Sequence, residues 1–99
     1  MSEKIKITPE VVQAATFAKA MSHPVRMHIL LKLVEKNACC YTGDIAEELS
    51  VGRSTLSQHF KELKNAGLIQ SYSKLPYIKY CINQENWNIA KSLFNNIFK

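Results

Sequence analysis

The chain has 99 residues, enough for one small domain that buries roughly two-thirds of its unfolded surface. With 46% apolar and 21% charged residues its composition is that of a globular chain and not a disordered one, and no apolar run approaches the ~20 residues of a membrane span. The net charge of +5 is unevenly spread: between Arg53 and Gln84, Arg53, Lys61, Lys64, Lys74 and Lys79 stand against Glu62 alone, the footprint expected of a polyanion-binding face.

The opening MSEKIKITPE is charged but has no apolar stretch behind it, so no secretory signal is expected. Three Cys without such a signal point to a reducing cytoplasm and free thiols. Thr8-Pro9-Glu10 has the pattern of a helix start, with Thr as cap and Pro in the first helical position. Val11, Ala14, Ala15, Ala18 and Met21 then recur at helical spacing. Ser22-His23-Pro24 ends that helix and caps the next, whose predicted buried stripe is Val25, Ile29, Leu30, Leu33 and Val34, ending near Lys36-Asn37. ACCYTG follows as a short extended segment with a cap-like Thr42-Gly43. A third helix is expected from about Asp44 to Ser50, with Ile45, Ala46 and Leu49 inward. Val51-Gly52 makes a tight turn into a fourth helix, Arg53 to Ala66, which Gly67 stops as a left-handed cap. The period then changes to two: LIQSYS and YIKYCIN alternate around Lys74-Leu75-Pro76 as a β-hairpin. A last helix, Gln84 or Glu85 to about Phe98, carries Trp87, Ala90, Phe94 and Ile97 on one stripe, with Leu93 and Phe98 beside it. The expected fold is therefore mostly α with a small β-hairpin, in one domain.

Two short helices separated by a tight turn, at residues 44–66, have the layout of a helix-turn-helix. At about 100° per residue, Leu56, Phe60 and Leu63 fall on one side of the fourth helix. Ser54, Gln58, Lys61 and Asn65 fall opposite, flanked by Thr55 and Ser57, while His59 borders the core side. Hydroxyls reach phosphates or base edges, a Gln carboxamide pairs with adenine in the major groove, and Lys neutralises phosphate. The helix fits that groove when a second helix braces it across the backbone. The same pattern also suits an amphipathic helix with a wet side, and the scaffold could serve a protein-interaction module that does not read DNA.

The stretches MSHPVRMHILLKL, DIAEEL and RSTLSQHFKELKNAGLI and the hairpin SYSKLPYIKYCI together resemble the ArsR-type (arsenic-repressor-like) winged-helix regulators from Ala20 to Ile82. The resemblance implies a homodimeric transcriptional repressor, with Ser54, Thr55, Ser57, Gln58 and His59 at the DNA surface, a wing at residues 68–82 and dimerisation helices at 9–21 and 84–98. Two positions depart from the pattern. Gly52 stands where the family has a Ser or Thr cap, and the wing tip is Leu75-Pro76 where the family has Gly and Arg, leaving Lys74 and Lys79 as the wing's cations. Apolar residues on the first and last helices exceed what so short a chain covers. Val11, Ala15 and Ala18, with Trp87, Ala90, Phe94, Ile97 and Phe98, are therefore expected at a two-fold interface.

The cysteines stay open. Cys39 and Cys40 are adjacent and precede the third helix, so the Cys-x-Cys pair found there in metal-sensing relatives does not carry over. The last helix has Glu85 but no His, so the zinc site of other relatives does not carry over either. If ACCYT runs beside the second wing strand, Cys39, Cys40 and Cys81 could form a trigonal site for a thiophilic metal or metalloid ion, or a pair could form a redox disulfide. The other reading is small idle thiols. No nucleophile, acid and base cluster and no Gly-rich phosphate loop points to an enzyme.

Overall fold

Thr8 does cap the first helix: its Oγ1 accepts the Val11 backbone N–H at 3.3 Å, and Pro9 opens the helix behind it. The computed structural model describes residues 5–36, 39–74 and 76–98. Asn37, where the second helix was expected to end, and Leu75 of the wing tip lie outside them. The elements in chain order are α1 (Pro9–Met21), α2 (Pro24–Lys36), β1 (Cys39–Tyr41), α3 (Thr42–Leu49), α4 (Arg53–Asn65), β2 (Ile69–Lys74), β3 (Tyr77–Ile82) and α5 (Gln84–Ile97). This is the winged helix-turn-helix, with one strand more than the hairpin alone.

The added strand is β1. It pairs antiparallel with β3, giving the order β1-β3-β2, and Cys40 lies opposite Tyr80. Three residues are too short for the alternation that announces a strand; β1 exists because β3 offers it a free edge.

Helix α3 begins two residues earlier than its sequence pattern suggested. Thr42 lies inside the first turn and the cap is Tyr41, which makes no side-chain capping bond. Ser50 ends α3 in the left-handed region at φ 54°, and Gly67 turns the chain after α4 at φ 85°. There the Asn86 side chain donates to the Gly67 carbonyl at 2.8 Å, tying the end of α4 to α5.

The core gathers Ile29, Leu30 and Leu33 of α2, Leu56, Phe60 and Leu63 of α4, and Leu68 and Ile69 at the start of the wing. Phe17 of α1 is also 2% exposed and belongs to it, although its ring was not among the expected inward residues. Val34 is a correction in the other direction. It was expected in the buried stripe but lies at the surface, 36% exposed, and Val25 is only half-buried. Position 34 is displaced from the centre of the α2 stripe that Ile29, Leu30 and Leu33 occupy.

Candidate nucleic-acid interface

Helix α4 is divided cleanly. Leu56, Phe60 and Leu63 are fully buried, while Arg53, Ser54, Thr55, Ser57, Gln58, Lys61 and Lys64 are exposed. Apolar anchors at i, i+4 and i+7 fix the helix's rotation, so the polar side has no choice but to face outward. Gly52 occupies the N-cap without a side-chain acceptor. The first-turn N–H groups of α4 are thus left for solvent or a phosphate.

Arg53, the first residue of α4, reaches across to α3. Its guanidinium lies so close to Gly43 that a Cβ there would stand 3.0 Å from Nη2. The absence of a side chain at Gly43 lets a cation rest beside the start of α3. Together these residues border a cleft of about 580 Å³ that also includes Ser57 and the wing residues Pro76, Tyr77 and Ile78.

His59 is half-buried, as its position on the helix wheel suggested. Its ring lies 4.2 Å from that of His23, tilted by 43°. Burial, and then the neighbouring His23 and Arg26, lower its pKa from the ordinary 6.5. His23 itself caps α2, with Nδ1 accepting the Val25 N–H at 3.1 Å. The contact between His23 and His59 was not legible in their sequence spacing.

On the wing, Lys79 is half-buried beside Tyr72, its Nζ 5.9 Å from the ring centroid. Lys74 pairs with Tyr77 through the backbone, and its side chain lies outside the described part. Sequence reasoning passed over Tyr41, Tyr72 and Tyr77. The signal available was the period of two, which puts Tyr77 and Lys79 of β3 on the side opposite the buried Tyr80, and Tyr72 across from Lys79.

The three sulfurs do not converge. Cys39 and Cys81 face each other across β1 and β3 and form a disulfide, with Cα atoms 4.2 Å apart. Adjacent residues of a strand point to opposite faces, so Cys40 packs against the core instead. Of the readings left open, the disulfide between a pair of the cysteines is the one found; the trigonal arrangement does not form, and the expectation of free thiols fails for Cys39 and Cys81. Among the described residues no group of three or more His, Cys, Asp and Glu side chains is arranged to hold a metal ion.

Helices α1 and α5 lie side by side and leave an apolar groove of about 410 Å³, bordered by Val11, Ala15, Ala18, Leu93, Phe94 and Ile97. Val11 is 56%, Ile97 59% and Phe98 80% exposed. Ala90, expected at the same surface, is 2% exposed and packs inside its own subunit, and Trp87 is half-buried against the same core. Ala90 is too short to reach past that core, so nothing of it is left for a partner.

A family model described as bacterial regulatory protein, arsR family, matches residues 23–71. The chain is 37% identical to the transcriptional repressor SdpR of Bacillus subtilis over 65 residues, which are 66% of this chain and 70% of SdpR. It is 29% identical to the HTH-type transcriptional regulator YgaV of Escherichia coli over 98 residues, 99% of this chain and 98% of YgaV. Among solved structures, an ArsR-like transcriptional regulator from Rhodococcus sp. RHA1 superposes with a TM-score of 0.75 at 23% identity, covering 91% of this chain and 83% of that one.

Proposed function

The chain belongs to the ArsR family of bacterial regulatory proteins, and from that premise we propose that it reads a near-palindromic operator as a homodimer, with α4 in the major groove of each half-site. It is a DNA-binding transcriptional regulator and not an enzyme. The observation that carries the proposal is the division of α4: three fully buried anchors behind an open side bearing Ser54, Thr55, Ser57, Gln58 and Lys61. Gln58 reads a base edge, Lys61 and Lys64 take phosphates, and Arg53 meets the backbone where α3 and α4 begin. Lys74 and Lys79 add a weaker wing contact. The groove between α1 and α5 closes on its two-fold mate, which covers Val11, Ile97 and Phe98 and sets two reading helices about 34 Å apart. Its place is the cytoplasm, where the operator is. A protein-interaction module is not favoured, since the named relatives are regulators and repressors.

Selection of bound duplexes from a random pool tests this reading. A two-fold-related site should emerge, and its affinity should fall with salt at a log–log slope of about −4 to −5 per subunit, for roughly five cationic contacts. No enrichment together with a flat salt response would sink it.

The Cys39–Cys81 pair favours a second element, release by a thiol-reactive signal. A hydroperoxide would take the two thiols to the disulfide, and its own O–O bond would break to give alcohol and water. Because the bond joins β1, which leads into α3, to the wing strand β3, it ties the brace helix to the wing. Operator binding that responds identically to peroxide and to dithiol in wild type and Cys81→Ser would dismiss it.

A further inference from the structure

The face of the sheet turned away from the core has an unusual population. By register, Tyr72 of β2, Lys79 of β3 and Tyr41 of β1 form one row across three strands, and Tyr77 begins the next row on β3. Tyr41, Tyr72 and Tyr77 are 37%, 49% and 63% exposed. The Tyr41 and Tyr77 rings meet edge to face at 5.9 Å, and Lys79 Nζ lies over Tyr72. No Asp or Glu occurs on any of the three strands. On the inner face Tyr80 is buried and stacked on Phe60.

We propose that this tyrosine face stacks the unpaired bases of single-stranded DNA. Rings on alternate strands stand roughly 10 Å apart, so each can take a base while the lysine between them meets a phosphate. The face is continuous with α4 through the cleft where Tyr41 and Tyr77 meet Arg53 and Ser57. A strand continuing from a frayed duplex on α4 would arrive there. Asp44 and Glu47 border the same cleft on its α3 side and repel phosphate, which directs the strand along the sheet. The inference uses the reading of α4 only for the direction of arrival.

The test is fluorescence anisotropy of a labelled oligothymidylate of about twelve nucleotides at low salt, beside oligouridylate of equal length and a duplex selected from the random pool. Saturable binding to oligothymidylate is expected. Tyr72→Ala and Tyr77→Ala should each weaken it about tenfold, and Tyr72→Phe, which keeps the ring, should not. Gln58→Ala should leave it in place. The proposal falls if oligothymidylate does not saturate, if the alanine variants bind it like wild type, if Gln58→Ala loses as much as they do, or if oligouridylate is preferred. Tyrosine-dependent oligothymidylate binding without any duplex binding would uphold this inference and refute the operator reading; the converse would do the reverse.

Discussion

Phe60 of α4 and Tyr80 of β3 are stacked, their ring centroids 4.2 Å apart and their planes 14° from parallel. Both are buried, and burial raises the Tyr80 pKa above its ordinary 10.0. The stack joins α4 to the middle strand of the sheet, so the wing and α4 are one body. An aromatic pair adds about 0.5–1.5 kcal/mol beyond its buried area. Phe60→Leu should therefore lower the unfolding free energy by about 1 kcal/mol in a urea titration. Phe60→Ala, which leaves a cavity, should lower it by about 3–5 kcal/mol, a large share of what a domain this size has. A Phe60→Leu protein as stable as wild type would show that the ring contributes only its volume.

Gln58 and Lys61 are both exposed on α4, yet they should fail differently. Gln58→Ala removes a paired donor and acceptor and should cost about 1–3 kcal/mol at one base position, relaxing preference there. Lys61→Ala removes a charge that every sequence feels, so it should weaken all duplexes alike and reduce the salt slope by about one. Competition binding over single-base variants of the selected site separates the two. Unchanged preference in Gln58→Ala would mean that another side chain reads the bases.

How much of this was legible beforehand depended on period and punctuation. Leu56, Phe60 and Leu63 announced the orientation of α4 because three anchors at helical spacing admit one rotation. Gly67 announced the end of that helix because φ 85° suits no other residue as well. What was decided across distance was legible only in part. The pairing of ACCYT with the second wing strand was conditional and a disulfide was one of several readings of the cysteines, because both depend on the register of β1 against an edge of β3 some forty residues later. Phe17 was hidden because the small residues around it suggested a different stripe. His23 and His59 meet only because α2 and α4 pack together.

The groove between α1 and α5 gives the proposed dimer a direct test. Ile97 is 59% exposed at its border, so a charge there should not disturb the subunit's own core. Ile97→Asp placed in a two-fold interface would bury two like charges near each other. Sedimentation should find the variant as a monomer at concentrations where wild type is a dimer, with far-UV circular dichroism unchanged and operator affinity reduced at least tenfold. A dimeric Ile97→Asp protein would move the interface elsewhere.

Gly67 is constrained twice. Its φ of 85° is unfavourable for a residue with a side chain, and a Cβ would stand 2.9 Å from Asn86 Nδ2. That same Asn86 group donates to the Gly67 carbonyl, so moving it aside loses the tie between α4 and α5. Gly67→Ala should therefore destabilise by about 1–2 kcal/mol from the left-handed backbone alone, and more with the lost hydrogen bond. Thermal or urea unfolding measures it. If Asn86→Ala lowers stability and Gly67→Ala does not, the backbone conformation at residue 67 is free to change.

His59 gives the fold a pH dependence of definite sign. Burial first, then His23 and Arg26, hold its pKa below 6.5, while Glu62 pulls the other way. A histidine with a depressed folded pKa takes its proton in the unfolded chain first. Well above pH 6.5 neither state is protonated there and stability is unaffected. As pH falls through about 6.5 the unfolded state gains protons that the native state does not, and stability declines until the native His59 is protonated too. His59→Gln removes this contribution but leaves those of the carboxylates, so the comparison isolates it. The melting temperature of wild type should fall more steeply than that of His59→Gln between about pH 7 and 5. Parallel curves for the two proteins would mean that α2 and α4 part enough to let the His59 ring take its proton at no cost.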